Sequence, residues 1–206
     1  MLQQLANEKF LPLYTATAIE PALIAKELLL KHGLHFIEVA YRSELASETI
    51  HTLAQCDELI VGAGTVRTLD TAKEALANGA QFIVTPGFSD EITAYCVAHN
   101  VPIIPGAVTP TEIMRAASYG LNVVKFFPAD IYGGLEAIKV LSGPFFDIQF
   151  VPTGGIDQHN CHEFLTAPEI LAVGGSFILS EKTILQDNGK TADKILAELN
   201  TIKKTS

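Results

Sequence analysis

A closed barrel of eight parallel strands, each followed by a helix, is the fold this chain predicts, and three observations predict it. Short apolar runs rich in β-branched and aromatic residues alternate with amphipathic stretches of helical length along the whole sequence. The alternation recurs roughly every 20 to 25 residues and gives eight strand candidates, the count of a (β/α)8 TIM barrel. No Pro/Ser-rich linker, charge block or low-complexity tract interrupts it, so residues 1–206 are expected to form one barrel domain. An open doubly wound sheet is the rival, because alternation alone does not show closure.

Strands are expected at residues 11–16, 36–42, 59–66, 82–87, 101–107, 123–129, 149–155 and 170–178. Helices are expected at 21–32, 47–55, 72–78, 91–100, 110–119, 134–141 and 159–165, with 191–203 closing the chain. Several helix boundaries carry their own punctuation. Ser89-Asp90, Thr109-Pro110 and Asp157 offer N-cap chemistry, and Gly33, Gly79 and Gly120 stand where helices should stop.

The composition narrows the function. The 206 residues are 48% hydrophobic and 18% charged, enough apolar material for one sizeable core. A net charge of -9 argues against a nucleic-acid partner, since neutralising phosphates along a strand requires a basic surface. Cys56, Cys96 and Cys161 are scattered without a CxxC pair and read as reduced thiols. The first residues lack a basic start followed by an apolar run, and no stretch approaches the ~18 apolar residues of a membrane span. No membrane partner and a cytoplasmic location are therefore expected.

Barrel strands are buried on both faces, so an ionisable residue inside one requires a reason. In Phe36-Ile37-Glu38-Val39-Ala40-Tyr41-Arg42 the period of two puts Glu38 on the face of Phe36, Ala40 and Arg42, opposite Ile37, Val39 and Tyr41. The apolar set belongs against the helices. Glu38 then points into the barrel, and Arg42 reaches the C-terminal rim, where barrel enzymes place their chemistry. A purely structural ion pair is the alternative. In Val123-Val124-Lys125-Phe126-Phe127-Pro128-Ala129 one amine stands among apolar and aromatic neighbours that leave no exposed face. Desolvation favours the neutral form of a lysine, and a neutral amine is a competent nucleophile towards a ketone. Phe127 shares the face of Lys125 and can line a pocket, whereas Phe126 should pack towards the helices.

The seventh strand ends in Pro152-Thr153-Gly154-Gly155-Ile156 and the eighth in Val173-Gly174-Gly175-Ser176. Glycine pairs let backbone N–H groups approach an anion closely, and barrels often hold phosphate after these two strands. Tight strand-to-helix turns are the simpler alternative. Thr65, after Gly62-Ala63-Gly64, could bond a carboxylate or cap the next turn. Thr85-Pro86-Gly87 and Ile104-Pro105-Gly106 shape the walls, with Pro86 counted among the substrate-binding residues. No histidine of the six lies at a strand end beside a carboxylate, and neither a metal nor another cofactor is expected.

Taken together, these motifs resemble bacterial 2-keto-3-deoxy-6-phosphogluconate aldolase, a family whose members often also act on 4-hydroxy-2-oxoglutarate. The likeness runs in order from about Leu11 to Ile178. It rests most specifically on Glu38 four residues before Arg42, Lys125 before Phe126-Phe127-Pro128-Ala129, and Pro152-Thr153-Gly154-Gly155-Ile156. The resemblance implies a class I aldolase of a phosphorylated 2-keto acid, with Lys125 as the Schiff-base lysine and Glu38 as the acid/base. It implies Arg42 and Thr65 as contacts of the substrate carboxylate, and Gly154, Gly155, Gly174, Gly175 and Ser176 as the phosphate cradle. A homotrimer and the absence of a metal follow from the same likeness. Two departures stand out: Leu11-Pro12-Leu13-Tyr14-Thr15 replaces a more aliphatic first strand, and Tyr41 replaces a smaller residue. A galactonate-derived substrate and a non-catalytic phosphometabolite-binding barrel are the alternatives.

Overall fold

The computed structural model describes residues 1–204. Its elements run α1 (Leu2–Glu8), β1 (Phe10–Tyr14), α2 (Glu20–Lys31), β2 (Phe36–Ala40), α3 (Ala46–Leu53), β3 (Ile60–Gly64), α4 (Leu69–Ala77), β4 (Phe82–Val84) and α5 (Asp90–Ala98). They continue with β5 (Ile103–Ile104), α6 (Pro110–Ser118), β6 (Val123–Phe126), α7 (Gly134–Ser142), β7 (Gln149–Pro152), α8 (Cys161–Leu165), β8 (Val173–Gly175), α9 (Glu181–Asp187) and α10 (Lys190–Lys204).

The strands close. A parallel ladder runs β5-β4-β3-β2-β1-β8, and β6 pairs with β7. Parallel bridges Gly106↔Lys125 and Thr153↔Gly174 join the two pieces, the first through Lys125 N–H to Pro105 O (2.8 Å) and Ala107 N–H to Lys125 O (2.9 Å). The chain is thus a TIM barrel, and the open-sheet rival falls.

Strand alternation sorts the core into two layers. Phe36, Phe82, Val84, Ile104, Val123 and Val151 fill the barrel interior. Ile37, Val39, Val61, Ile83, Val124, Phe126 and Phe150 face the helices, with the Phe126 and Phe150 rings edge to face at 6.1 Å. Parallel strands buried on both faces place no backbone polar group in apolar surroundings unpaired, since each N–H and C=O is used in the ladder.

Two helices escape the sequence pattern. α1 is one short amphipathic segment, ended by Lys9 in the left-handed region (φ 67°), and its Leu5 is fully buried in the interior layer, plugging the N-terminal end of the barrel. Seven residues are too few to hold a helix alone; packing holds it. α9 starts at a Ser180–Thr183 capping box and stops at Asn188 in the left-handed region (φ 56°). Thr183 stands where Glu or Gln is usual, so the box does not match the ordinary sequence signature.

The expected strands also ran long. β3 stops at Gly64, β8 spans only Val173–Gly175, and residues up to 66 and 178 belong to the rim loops. Thr65 takes a left-handed φ of 56°, which turns the chain out of the ladder. Ser89 and Thr109 cap α5 and α6 as expected, Thr109 within a full capping box with Glu112. Asp157 does not cap α8. Its Oδ1 accepts the N–H groups of His159 (2.8 Å) and Asn160 (3.2 Å) in a turn before the helix, so His159 is not on the helix with His162. Among the described residues no helix is long and apolar enough to cross a membrane.

Candidate active site

β6 and β2 each send one charged side chain inward. Val124 and Phe126 face the helices, so Lys125 must point into the barrel; Ile37 and Val39 do the same on β2 and turn Glu38 in. Lys125 Nζ lies 3.1 Å from Glu38 Oε1. Lys125 is 4% exposed and Glu38 1%. The fold sets beside this amine the carboxyl that strand alternation had also turned inward. Deleting either member would leave the other polar group buried without compensation, at a cost of ~3–5 kcal/mol. The Phe127 ring covers the amine, with Nζ 5.6 Å from its centroid.

The Glu38 carboxyl occupies room that Gly64 leaves open. A Cβ at Gly64 would overlap the Glu38 side chain, and one at Gly62 would overlap the Phe82 ring. β2 and β3 are locked in register, Glu38 against Gly62 and Ala40 against Gly64. Gly64 is therefore the recess that admits the Glu38 carboxyl to the interior, a role the sequence pattern did not reveal.

Arg42 stands just beyond β2 and donates from Nε to Thr65 Oγ1 at 3.2 Å. Before it, the Tyr41 hydroxyl is 3.0 Å from Ser47 Oγ, which in turn donates to Glu74 Oε1. This chain ties the end of β2 to α3 and α4 and fixes the backbone that carries the guanidinium.

Arg42, Phe127, Thr153, Gly154, Gly155, Gly175 and Ser176 line one cavity of about 650 Å³ at the C-terminal rim. Lys125 and Glu38 are not among the residues that line it; Phe127, which is, covers the Lys125 amine. Gly154 and Gly155 both have positive φ (95° and 70°), a turn that L side chains resist, and a Cβ on Gly155 would overlap Asp130. Thr153 is 4% exposed, and its hydroxyl has no hydrogen-bond partner in the protein. Gly174 and Pro86 do not line the cavity. Gly174 lies behind Thr153, where a side chain would overlap the hydroxyl; Pro86 follows β4 and packs its backbone against Gly106. Thr65 reaches the site through Arg42. The wall also contains Leu13, Gln158, Ser180 and Lys182, which the strand-end motifs did not point to. Leu13 was accessible from the alternation of β1, whereas Ser180 and Lys182 depend on α9.

Tyr14 is fully buried in β1, in the helix-facing layer of the core. Burial first, and the Glu181 carboxylate second, push its phenol well above the usual range, so it stays protonated.

Comparison with known proteins agrees with this geometry. The sequence profile of the KDPG and KHG aldolases matches residues 1–195. The chain is 40% identical over 185 residues to the 2-dehydro-3-deoxy-phosphogluconate aldolase of Treponema pallidum, covering 89% of this chain and 88% of that one. It is 36% identical over 205 residues to the enzyme of the same name from Haemophilus influenzae, covering 99% and 97%. The KDPG aldolase of Legionella pneumophila, solved with pyruvate captured at low pH as a covalent carbinolamine intermediate, superposes with a TM-score of 0.90 at 32% identity, over 95% of this chain and 96% of that one. Identity at this level along nearly the whole barrel places the chain in the KDPG and KHG aldolase family, and it is accordingly an aldolase, a lyase acting on carbon–carbon bonds.

Proposed function

We propose that this aldolase cleaves 2-keto-3-deoxy-6-phosphogluconate to pyruvate and glyceraldehyde 3-phosphate through a Schiff base on Lys125, and cleaves 4-hydroxy-2-oxoglutarate to pyruvate and glyoxylate by the same route. The observation that carries the proposal is the buried Lys125–Glu38 contact of 3.1 Å, covered by the Phe127 ring that lines the rim cavity. An amine and a carboxyl in contact there supply the two functions the reaction requires, a nucleophile for the ketone and a group that moves protons.

In this reading Lys125 adds to the C2 ketone and loses water. The resulting iminium accepts the electron pair released when the C3–C4 bond breaks. Glu38 takes the proton of the C4 hydroxyl during cleavage and afterwards returns a proton to the enamine carbon. The iminium is itself the electron sink, so the scheme invokes no metal or other cofactor. Arg42 and Thr65 hold the substrate carboxylate, Phe127 packs against the reacting carbons, and Thr153 offers its free hydroxyl. Gly154, Gly155, Gly175 and Ser176 cradle the phosphate and orient the scissile bond. Gly174 acts by leaving room for Thr153, and Pro86 by shaping the wall with Gly106.

Borohydride added with pyruvate should fix a reduced pyruvyl group on Lys125, read by peptide mass. Label on another lysine, or on none, sinks the proposal. Glu38→Gln should lower turnover by about a hundredfold or more while still permitting the trap.

The reading takes residues 1–206 as one barrel domain working in the cytoplasm, where the free thiols of Cys56, Cys96 and Cys161 are at home. It also takes the enzyme as a homotrimer, as the family likeness implies. Ile131, Tyr132, Val140 and Phe146 expose 50–87% of their surface around α7 and the loop before β7, apolar area that a second copy would cover.

A further inference from the structure

We propose that Lys182 is a phosphate-binding residue of the rim cavity, the cation that meets the substrate's phosphate; this rests on the aldolase reading above. The chain carries a net charge of -9, yet the charged residues among those lining the cavity are Arg42 and Lys182, with no carboxylate. Such a local reversal of sign is what a doubly anionic ligand selects for.

The two cations stand apart. Arg42 follows β2 and is engaged with Thr65. Lys182 lies in the first turn of α9, a few residues beyond Gly175 and Ser176 of the β8 rim. One strand, β1, separates β2 from β8, so the strand ends lie about 10 Å apart at ~4.8 Å per strand. That separation suits one acid with a carboxylate at one end and a phosphate at the other.

The backbone beneath Lys182 is held in place. Neighbouring Glu181 is 7% exposed and accepts the N–H groups of Thr17 (2.8 Å) and Ala18 (2.9 Å), which pins the start of α9 to the loop after β1. Those bonds also commit the adjacent carboxylate elsewhere. Among the described residues Lys182 enters none of the ion pairs, leaving its charge for a ligand. The Gly154-Gly155 and Gly175-Ser176 segments offer N–H dipoles and a hydroxyl but no formal charge, whereas a phosphate monoester carries about -1.5 to -2 at neutral pH. A lysine supplies the missing point charge without demanding a fixed geometry.

Aldol addition of pyruvate to glyceraldehyde 3-phosphate and to glyceraldehyde isolates the phosphate. Lys182→Gln should raise KM for the phosphorylated aldehyde about tenfold and lower its kcat/KM relative to glyceraldehyde by a similar factor. The Ki of inorganic phosphate should rise in parallel, and Lys182→Arg should restore both. An unmoved ratio with an unmoved Ki, or equal losses on the two aldehydes, overturns the assignment. The pyruvate trap separates the two levels: a wild-type enzyme that traps on Lys125 while Lys182→Gln changes neither quantity rejects Lys182 alone, whereas failure to trap rejects the aldolase reading itself.

Discussion

One methyl group at Gly64 should silence the enzyme while leaving the barrel standing. An alanine Cβ there would sit 2.5 Å from Glu38 Cγ, 2.7 Å from its Cδ and closer still to Oε1. Comfortable carbon–carbon separations are about 3.5–4.0 Å. Neither backbone can yield, because β2 and β3 are paired in register from Phe36↔Ile60 to Ala40↔Gly64. The carboxyl must therefore swing away and give up its 3.1 Å contact with Lys125. Overpacking of this kind costs about 1–3 kcal/mol, and the uncompensated Lys125 amine ~3–5 kcal/mol more. For a chain of this size the two together are a fall in Tm of roughly 8–32 °C, at about 2–4 °C per kcal/mol. Loss of a positioned proton-transfer group costs about 10²–10⁴ in rate. Pyruvate release coupled to lactate dehydrogenase reads the second effect, and a circular-dichroism melt reads the first. Gly62→Ala is the matched control: its methyl strikes the Phe82 ring and not Glu38, so it should lower Tm with a much smaller loss of kcat. If Gly64→Ala keeps wild-type kcat, or if Gly62→Ala loses as much, Glu38 does not work from the position described.

Two further outcomes follow from the same contacts. Thr153→Val removes a buried hydroxyl that bonds nothing in the protein; Tm should hold within ~2 °C while KM for the keto acid rises, since there is no internal bond to lose. Asp193 on α10 is held below its ordinary value of 3.8, first by its hydrogen bond from Lys31 and then by that from His32. A carboxylate lowered on folding contributes stability above its unfolded pKa and loses it as the pH falls through the folded value. Asp193→Asn should therefore melt earlier than wild type at neutral pH, and the two curves should converge only well below pH 4. A gap that widens in acid would contradict this pairing.

Local alternation carried much of the chemistry. A strand repeats every two residues, so the apolar partners Ile37 and Val39, and Val124 and Phe126, were enough to turn Glu38 and Lys125 inward and to separate Phe127 from Phe126. The glycine pair after β7 was equally visible, because its left-handed turn demands glycine wherever the chain sits; Gly174 and Gly175 lie within β8, where the close approach of Thr153 and Phe177 requires them. Gly64 shows the limit: it reads as a turn residue, and only the β2–β3 register makes it the recess for a carboxylate.

Which residues meet is a different matter, because it is set by closure of the ring. Lys125 and Glu38 are 87 positions apart, and the Arg42–Thr65 bond and the pinning of α9 by Glu181 likewise join segments that no periodicity links. α1 and α9 are each seven residues long, too short to announce themselves by pattern, and exist because the barrel offers surface to cover. Side-chain direction is a property of a few neighbouring dihedrals and is written along the chain. Distance across the cavity depends on eight strands returning to their starting point, and that exists only once the whole sheet has formed.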